Sequence, residues 1–199
     1  MAAALVSTIL ALASPAHAAD ETLGKWWFDF GLGYGDLSTN SPISHGGSGL
    51  WVDAQVGGRI NSHWLAGIDI GGIGLHANEN NCGHSDDYYD YYCSVYDETV
   101  TNIFLVVQYE PKSDHGWFFG AGAGGVIYDN KQLDDISGSS HSGEGFGGLV
   151  RVGYDWKFRP RNHIEALLSF ETADTTVQAP FSGKFNFSVI AASVHYAFH

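Results

Sequence analysis

Between Gly145 and Phe158 the chain reads GFGGLVRVGYDWKF, and bulky apolar residues recur at alternate positions. Phe146, Gly148, Val150, Val152, Tyr154, Trp156 and Phe158 share one phase. Gly147, Leu149, Arg151, Gly153, Asp155 and Lys157 share the other. A period of two over this length predicts an extended strand with an apolar face and a face that mixes charge with glycine. The apolar face carries aromatics toward its ends, as a lipid-facing strand does where it meets the two membrane interfaces.

The same pattern recurs along the chain. Lys25 to Gly35 sets Trp26, Phe28, Phe30, Leu32 and Tyr34 against Trp27, Asp29 and glycines. Further strands are expected through Leu50 to Arg59, Trp64 to Gly71, Ile103 to Glu110, Gly116 to Tyr128 and Ile164 to Glu171. A last one ends on Ile190, Ala192, Val194, Tyr196 and Phe198 in one phase. The long connections fall at Asp36–Gly49, His76–Glu98, Asp129–Glu144 and Ala173–Gly183, and the short ones at Ile60–His63, Pro111–His115 and Arg159–Asn162. An even number of antiparallel strands, with short turns at one end and long loops at the other, predicts an all-β, eight-stranded, up-and-down transmembrane barrel. Closure would also remove the free edges of an open sheet.

Alternation alone does not say which face points outward, since a soluble barrel would turn its apolar face in. Glycine placement separates the two. Gly31, Gly33, Gly35, Gly67, Gly71, Gly120, Gly122, Gly124, Gly147 and Gly153 share the face that carries the charges. An eight-stranded barrel has an interior only just wide enough for side chains, so small residues belong there. On a water-facing surface they would weaken each strand with no packing return. Trp26, Trp64, Trp117, Trp156, Tyr109 and Tyr154 occupy the other face, too bulky together for one small lumen and suited to aromatic girdles.

Composition agrees with this picture. The 199 residues include 26 Gly and 14% aromatics but only 16% charged residues. A net charge of -13 argues against a nucleic-acid partner, whose phosphates need a basic surface. Residues 1–18 read as a secretory signal peptide, with an apolar stretch and Ala16-His17-Ala18 as a small-x-small cleavage site, although no Lys or Arg precedes that stretch. The barrel domain is then expected over 19–199. Export makes a disulfide between Cys82 and Cys93 the expected state of the two cysteines.

Taken together, the signal-like start, the strand WWFDFGLGYG, the stretch FFGAGAGG and the closing Val194 to Phe198 resemble the small outer-membrane β-barrels of Gram-negative bacteria, the OmpA/OmpX-like kind. The resemblance implies location in the outer membrane, contact with its lipid, and passage through the barrel-assembly machinery. In such proteins the terminal aromatic of the last strand is the assembly signal, here Phe198 with Tyr196 in the same phase. His199 follows it, a departure from the pattern. The resemblance is specific for architecture and weak for activity, because the kind includes anchors, adhesins and a few lipid-acting enzymes.

Three constellations remain. Asp29, Asp53, Asp69, Glu110, Asp155, Glu165 and Glu171 face inward by phase, with Arg59, Arg151 and Lys157 as the bases. In a narrow lumen such charges are costly unless paired, so they are expected to form a plugging network with Arg151 at its centre. An acid-lined, cation-preferring pore is the alternative. The longest connection carries Asp86, Asp87 and Asp90 among Tyr88, Tyr89, Tyr91 and Tyr92. Tyrosine-rich loops make good contact surfaces, here for an extracellular protein or glycan. Carboxylates can hold Ca²⁺, but this spacing matches no EF-hand loop. His63, His115, His163 and His199 fall at the short-turn end, too spread for one tetrahedral metal site, and read as interfacial polar residues. Ser169, Ser193, Glu171 and His195 could be neighbours on the last two strands, the raw material of a lipid hydrolase. A substrate would not reach them inside a filled lumen. The expected function is therefore a non-enzymatic anchor or surface-interaction protein without a cofactor, displaying acidic, Tyr-rich loops.

Overall fold

The computed structural model describes residues 26–41, 44, 46–78, 95–112, 115–132, 140–177 and 183–198. Eight strands follow in chain order: β1 (Trp26–Thr39), β2 (Gly47–Arg59), β3 (Trp64–Asn78), β4 (Val95–Tyr109), β5 (Gly116–Gln132), β6 (Ser140–Arg159), β7 (Asn162–Val177) and β8 (Gly183–Phe198). Each pairs antiparallel with the next, and β1 pairs with β8 to close the barrel. The closing seam places Phe28 opposite Phe198 and Gly31 opposite His195.

Short turns are set by local chemistry. At Asn61 the side-chain oxygen accepts the backbone N–H groups of His63 and Trp64 at 2.9 and 3.0 Å, an Asx-type turn that reverses the chain into β3. Gly116 opens β5 at φ +114°, a conformation strained for any residue with a Cβ.

The outward positions divide into two zones. From the short-turn end, an apolar band of outward residues runs through Trp26 to Tyr34 on β1, Trp64 to Ile70 on β3 and Phe158 to Phe146 on β6, exposed except for the half-buried Ala66, Val152 and Tyr154 and Gly148 of β6. Beyond it the outward residues turn polar: Asp36 and Ser38, His76, Thr99, Asp129, Glu144, Asp174 and Lys184. A lipid-facing band capped by a water-facing rim is the signature of a membrane-spanning barrel whose strands outrun the bilayer.

That rim corrects the sequence reading of the loops. β1 runs to Thr39 rather than Gly35, and β3 and β4 pair through His76 opposite Asp97, inside a stretch expected to be loop. β5, β6 and β7 likewise extend to Gln132, from Ser140 and to Val177. A strand in a closed sheet keeps its ladder partners above the membrane, so it no longer needs apolar outward residues there. Cys82 and Cys93, and the acid and tyrosine cluster of 86–92, lie outside the described residues, as do 1–25 and His199.

Candidate functional site

The lumen has two halves of different chemistry. Toward the long loops, Leu37, Trp51, Ile73, Phe104, Tyr128, Leu149, Phe187 and their neighbours form one buried apolar cluster. The expectation of a lumen held by charge alone missed this plug. Its signal was present in the inward phase of several strands, which turns from charged or polar residues to apolar ones toward the loop end, as from Asp69 to Ile73 on β3 and from His195 to Phe187 on β8.

Toward the short turns the interior carries the ion pairs and amides, with Trp27, Leu65 and Phe118 buried beside them. Arg151, mid-strand on β6, reaches across the barrel to Asp69 on β3 at 2.9 Å. Its other terminal nitrogen donates to Gln55 on β2, and to Gln108 on β4 at 3.3 Å. Gln108 donates in turn to Glu110 at 3.3 Å, and Glu110 pairs with Arg59 at 3.1 Å. One connected chain thus links four strands, β2, β3, β4 and β6, and meets β2 twice, at Gln55 and at Arg59. Higher up, the Asn102 amide donates to both carboxylate oxygens of Glu171 at 3.0 and 2.8 Å, and its oxygen accepts the Gly71 N–H at 2.9 Å. Glu165 is buried on β7, opposite Asp155 on β6 and His195 on β8.

Glycine makes room for these groups. A Cβ at Gly120 would sit 2.6 Å from Nε of Arg151, and one at Gly31 would fall on the His195 ring. Gly153 leaves space for the ring of Phe118 in the same way. The narrow lumen therefore holds large polar side chains only because glycines stand opposite them.

Two assignments change. Lys157 has the inward phase but is exposed. It stays in register opposite His163, but it is the last such residue before the turn, so its long side chain reaches water at the lumen mouth. His163 was expected at the interface; it is 1% exposed, with Nδ1 2.7 Å from Asp155. By contrast His63 is half-buried against the Glu110 carbonyl oxygen at 2.8 Å, and His115 is exposed.

Only part of the serine and histidine group comes together. Ser193 Oγ lies 2.8 Å from Nε2 of His195, whose Nδ1 lies 3.1 Å from Asp29 and whose Nε2 lies 3.3 Å from Asp53. The acids within 3.3 Å of this histidine come from β1 and β2, with Glu165 opposite it on β7, whereas Glu171 is engaged by Asn102. Ser193, His195 and Asp29 have the spacing of a hydrolase triad, but all three are buried. At the end of β8, Tyr196 and Phe198 face outward, and the Tyr196 hydroxyl donates to Asn162.

The loop-end rim is acidic on its outer face, with Asp36, Asp97, Asp129, Glu144 and Asp174 against Lys131 and Lys184. Asp97 is paired with His76 at 2.7 Å. Glu98, at the end of a stretch expected to be loop, is buried and accepts a hydrogen bond from Ser44.

No family model matches the chain, and no curated protein sequence does. Solved structures are similar in fold. Neisserial surface protein A is 14% identical, with 86% of this chain and 96% of that one covered and a TM-score of 0.52. Ail, the attachment invasion locus protein of Yersinia pestis, solved with the heparin analogue sucrose octasulfate, is 11% identical, with 88% and 100% covered and a TM-score of 0.54. The closed eight-strand sheet, its lipid-facing band and its water-facing rim give the chain the fold of the small outer-membrane β-barrels.

Proposed function

We propose that the protein is a sealed anchor of the bacterial outer membrane that presents its long loops at the cell surface. The observation that carries this reading is the apolar cluster filling the loop half of the lumen above a hydrogen-bonded polar half. An ion entering from the loop side would meet Phe104, Trp51 and Leu149 rather than water. The pore reading is thereby disfavoured despite the excess of acids. Conductance across a planar bilayer tests it. The purified barrel should give no steady openings, and stable cation-selective steps would overturn the anchor reading.

In this reading the strands above the bilayer hold the loops away from the lipid. The segment 79–94, braced by a Cys82–Cys93 disulfide, would offer Tyr88, Tyr89, Tyr91 and Tyr92 among acids as a contact surface. Ail was solved with a sulfated sugar, but the acidic rim here favours a basic or uncharged partner over a polyanion. The full barrel should therefore be retained on a cationic surface and pass a sulfated-glycan one. Replacing 79–94 by a Gly/Ser linker should weaken that retention, and unchanged retention would remove this loop from the contact. Cleavage near Ala18 and reading of Tyr196 and Phe198 by the assembly machinery complete the proposal.

A further inference from the structure

Basic residues are scarce, yet one turn holds several. Lys157, Arg159 and Arg161 fall within five consecutive positions of a chain that has nine Lys and Arg in all and a net charge of -13. All three are exposed at the β6–β7 turn, Lys157 at the mouth of the lumen opposite His163 and Arg159 just beyond a register shift. The acid closest to them in sequence, Asp155, is already held by His163 at 2.7 Å.

Beside this turn the lipid-facing wall is indented. A groove of about 580 Å³ is lined by Trp117, Val152, Tyr154, Trp156, Ala166 and Leu168. The register explains its shape: Trp117 stands opposite Tyr154, and Tyr154 opposite the small Ala166, so rings on β5 and β6 wall a shallow floor on β7. The rings brace one another. Trp117 meets Tyr154 edge-on at 5.3 Å, and Tyr154 lies 4.7 Å from Trp156. Farther into the bilayer a second hollow shares Val152 and Leu168 and adds Phe170 and Ile190, prolonging the apolar track.

We propose that this track and turn bind one anionic phospholipid of the inner leaflet, its phosphate on Lys157, Arg159 and Arg161 and an acyl chain in the groove between Trp156 and Ala166. The inference rests on the membrane-spanning fold and on short turns facing the periplasm. It does not depend on whether the lumen conducts. Clustered bases beside a bilayer attract anionic headgroups, and long basic side chains reach the interface from such a position. The β4–β5 turn, by comparison, brings one exposed base, Lys112.

The test uses the whole barrel, purified in an uncharged detergent and offered equal phosphatidylglycerol and phosphatidylcholine, with retained lipid read by native mass spectrometry. Retention of one phosphatidylglycerol in preference is expected. The triple variant Lys157→Gln, Arg159→Gln, Arg161→Gln should lose that preference by at least about tenfold, since each charge near the surface is worth about fivefold. Ala166→Phe fills the groove without changing charge and should also lower phosphatidylglycerol retention, while soluble glycerophosphoglycerol should bind neither protein stably. A boiled-against-unboiled gel shift checks that each variant is folded. Equal retention of the two lipids, or an unchanged triple variant, would overturn the site. Full retention by Ala166→Phe would overturn the groove as the acyl seat.

Discussion

Arg151→Met removes the cation at the centre of the lumen and keeps much of its length. In the folded barrel the Arg151 and Asp69 side chains are almost fully buried, 2.9 Å apart. At that distance and an effective dielectric of about 20, their attraction is about 6 kcal/mol, set against a desolvation cost of several kcal/mol for each ion. The intact pair therefore contributes little net stability. Removing one partner is another matter: Asp69 must either keep a desolvated charge or take a proton, and Gln55 and Gln108 each lose a donor. The expected loss is about 3–5 kcal/mol. Asp69→Leu added to Arg151→Met should restore most of it, because no orphaned carboxylate remains. The assay is reversible denaturant unfolding of the barrel in lipid vesicles, followed by tryptophan fluorescence and by the gel shift. A single variant as stable as the parent, or a double variant no better than the single, would refute the reasoning.

Other outcomes follow from the same geometry. Gly120→Ala pushes a methyl toward Nε and Cγ of Arg151 and should cost about 1–3 kcal/mol by the same unfolding assay. Trp51→Ala combined with Phe104→Ala should empty part of the apolar plug, destabilising the barrel by at least about 3 kcal/mol and raising bilayer conductance above that of the parent. A fluorophosphonate should leave Ser193 unlabelled in the folded barrel, since its hydroxyl is buried; labelling abolished by Ser193→Ala would revive the hydrolase reading. Brominated lipid should quench single-tryptophan variants retaining Trp117 or Trp156 but spare those retaining Trp27 or Trp51, which line the lumen. The reverse pattern would invert the faces.

Strand number, the alternation of long and short connections, and the facing of the residues in the apolar band were legible in the sequence. Period-two patterning is a local property of the backbone, and glycine on the charged face identified the crowded side. Strand length above the membrane was not legible. There the ladder is maintained by neighbouring strands, and outward residues meet water, so Asp36, His76 and Asp129 look like loop although they are paired.

The partners inside the lumen likewise required the closed barrel. Phase said that Asp29, Asp69, Arg151 and Glu171 point inward, but closure brought His195 on β8 to Asp29 on β1 and carried Arg151 across the lumen to Asp69. Gln55, Gln108 and Asn102 were visible as inward polar residues, yet only contact makes them the neutral links that satisfy buried charges. Lys157 shows the opposite limit: its phase is inward, opposite His163, yet its place beside the turn leaves it exposed instead of buried in the lumen. Sequence by itself determined which face the residues of the apolar band take, because alternation is built into an extended chain. Tertiary structure decided who meets whom across the lumen, because barrel closure and register join residues that no local pattern relates.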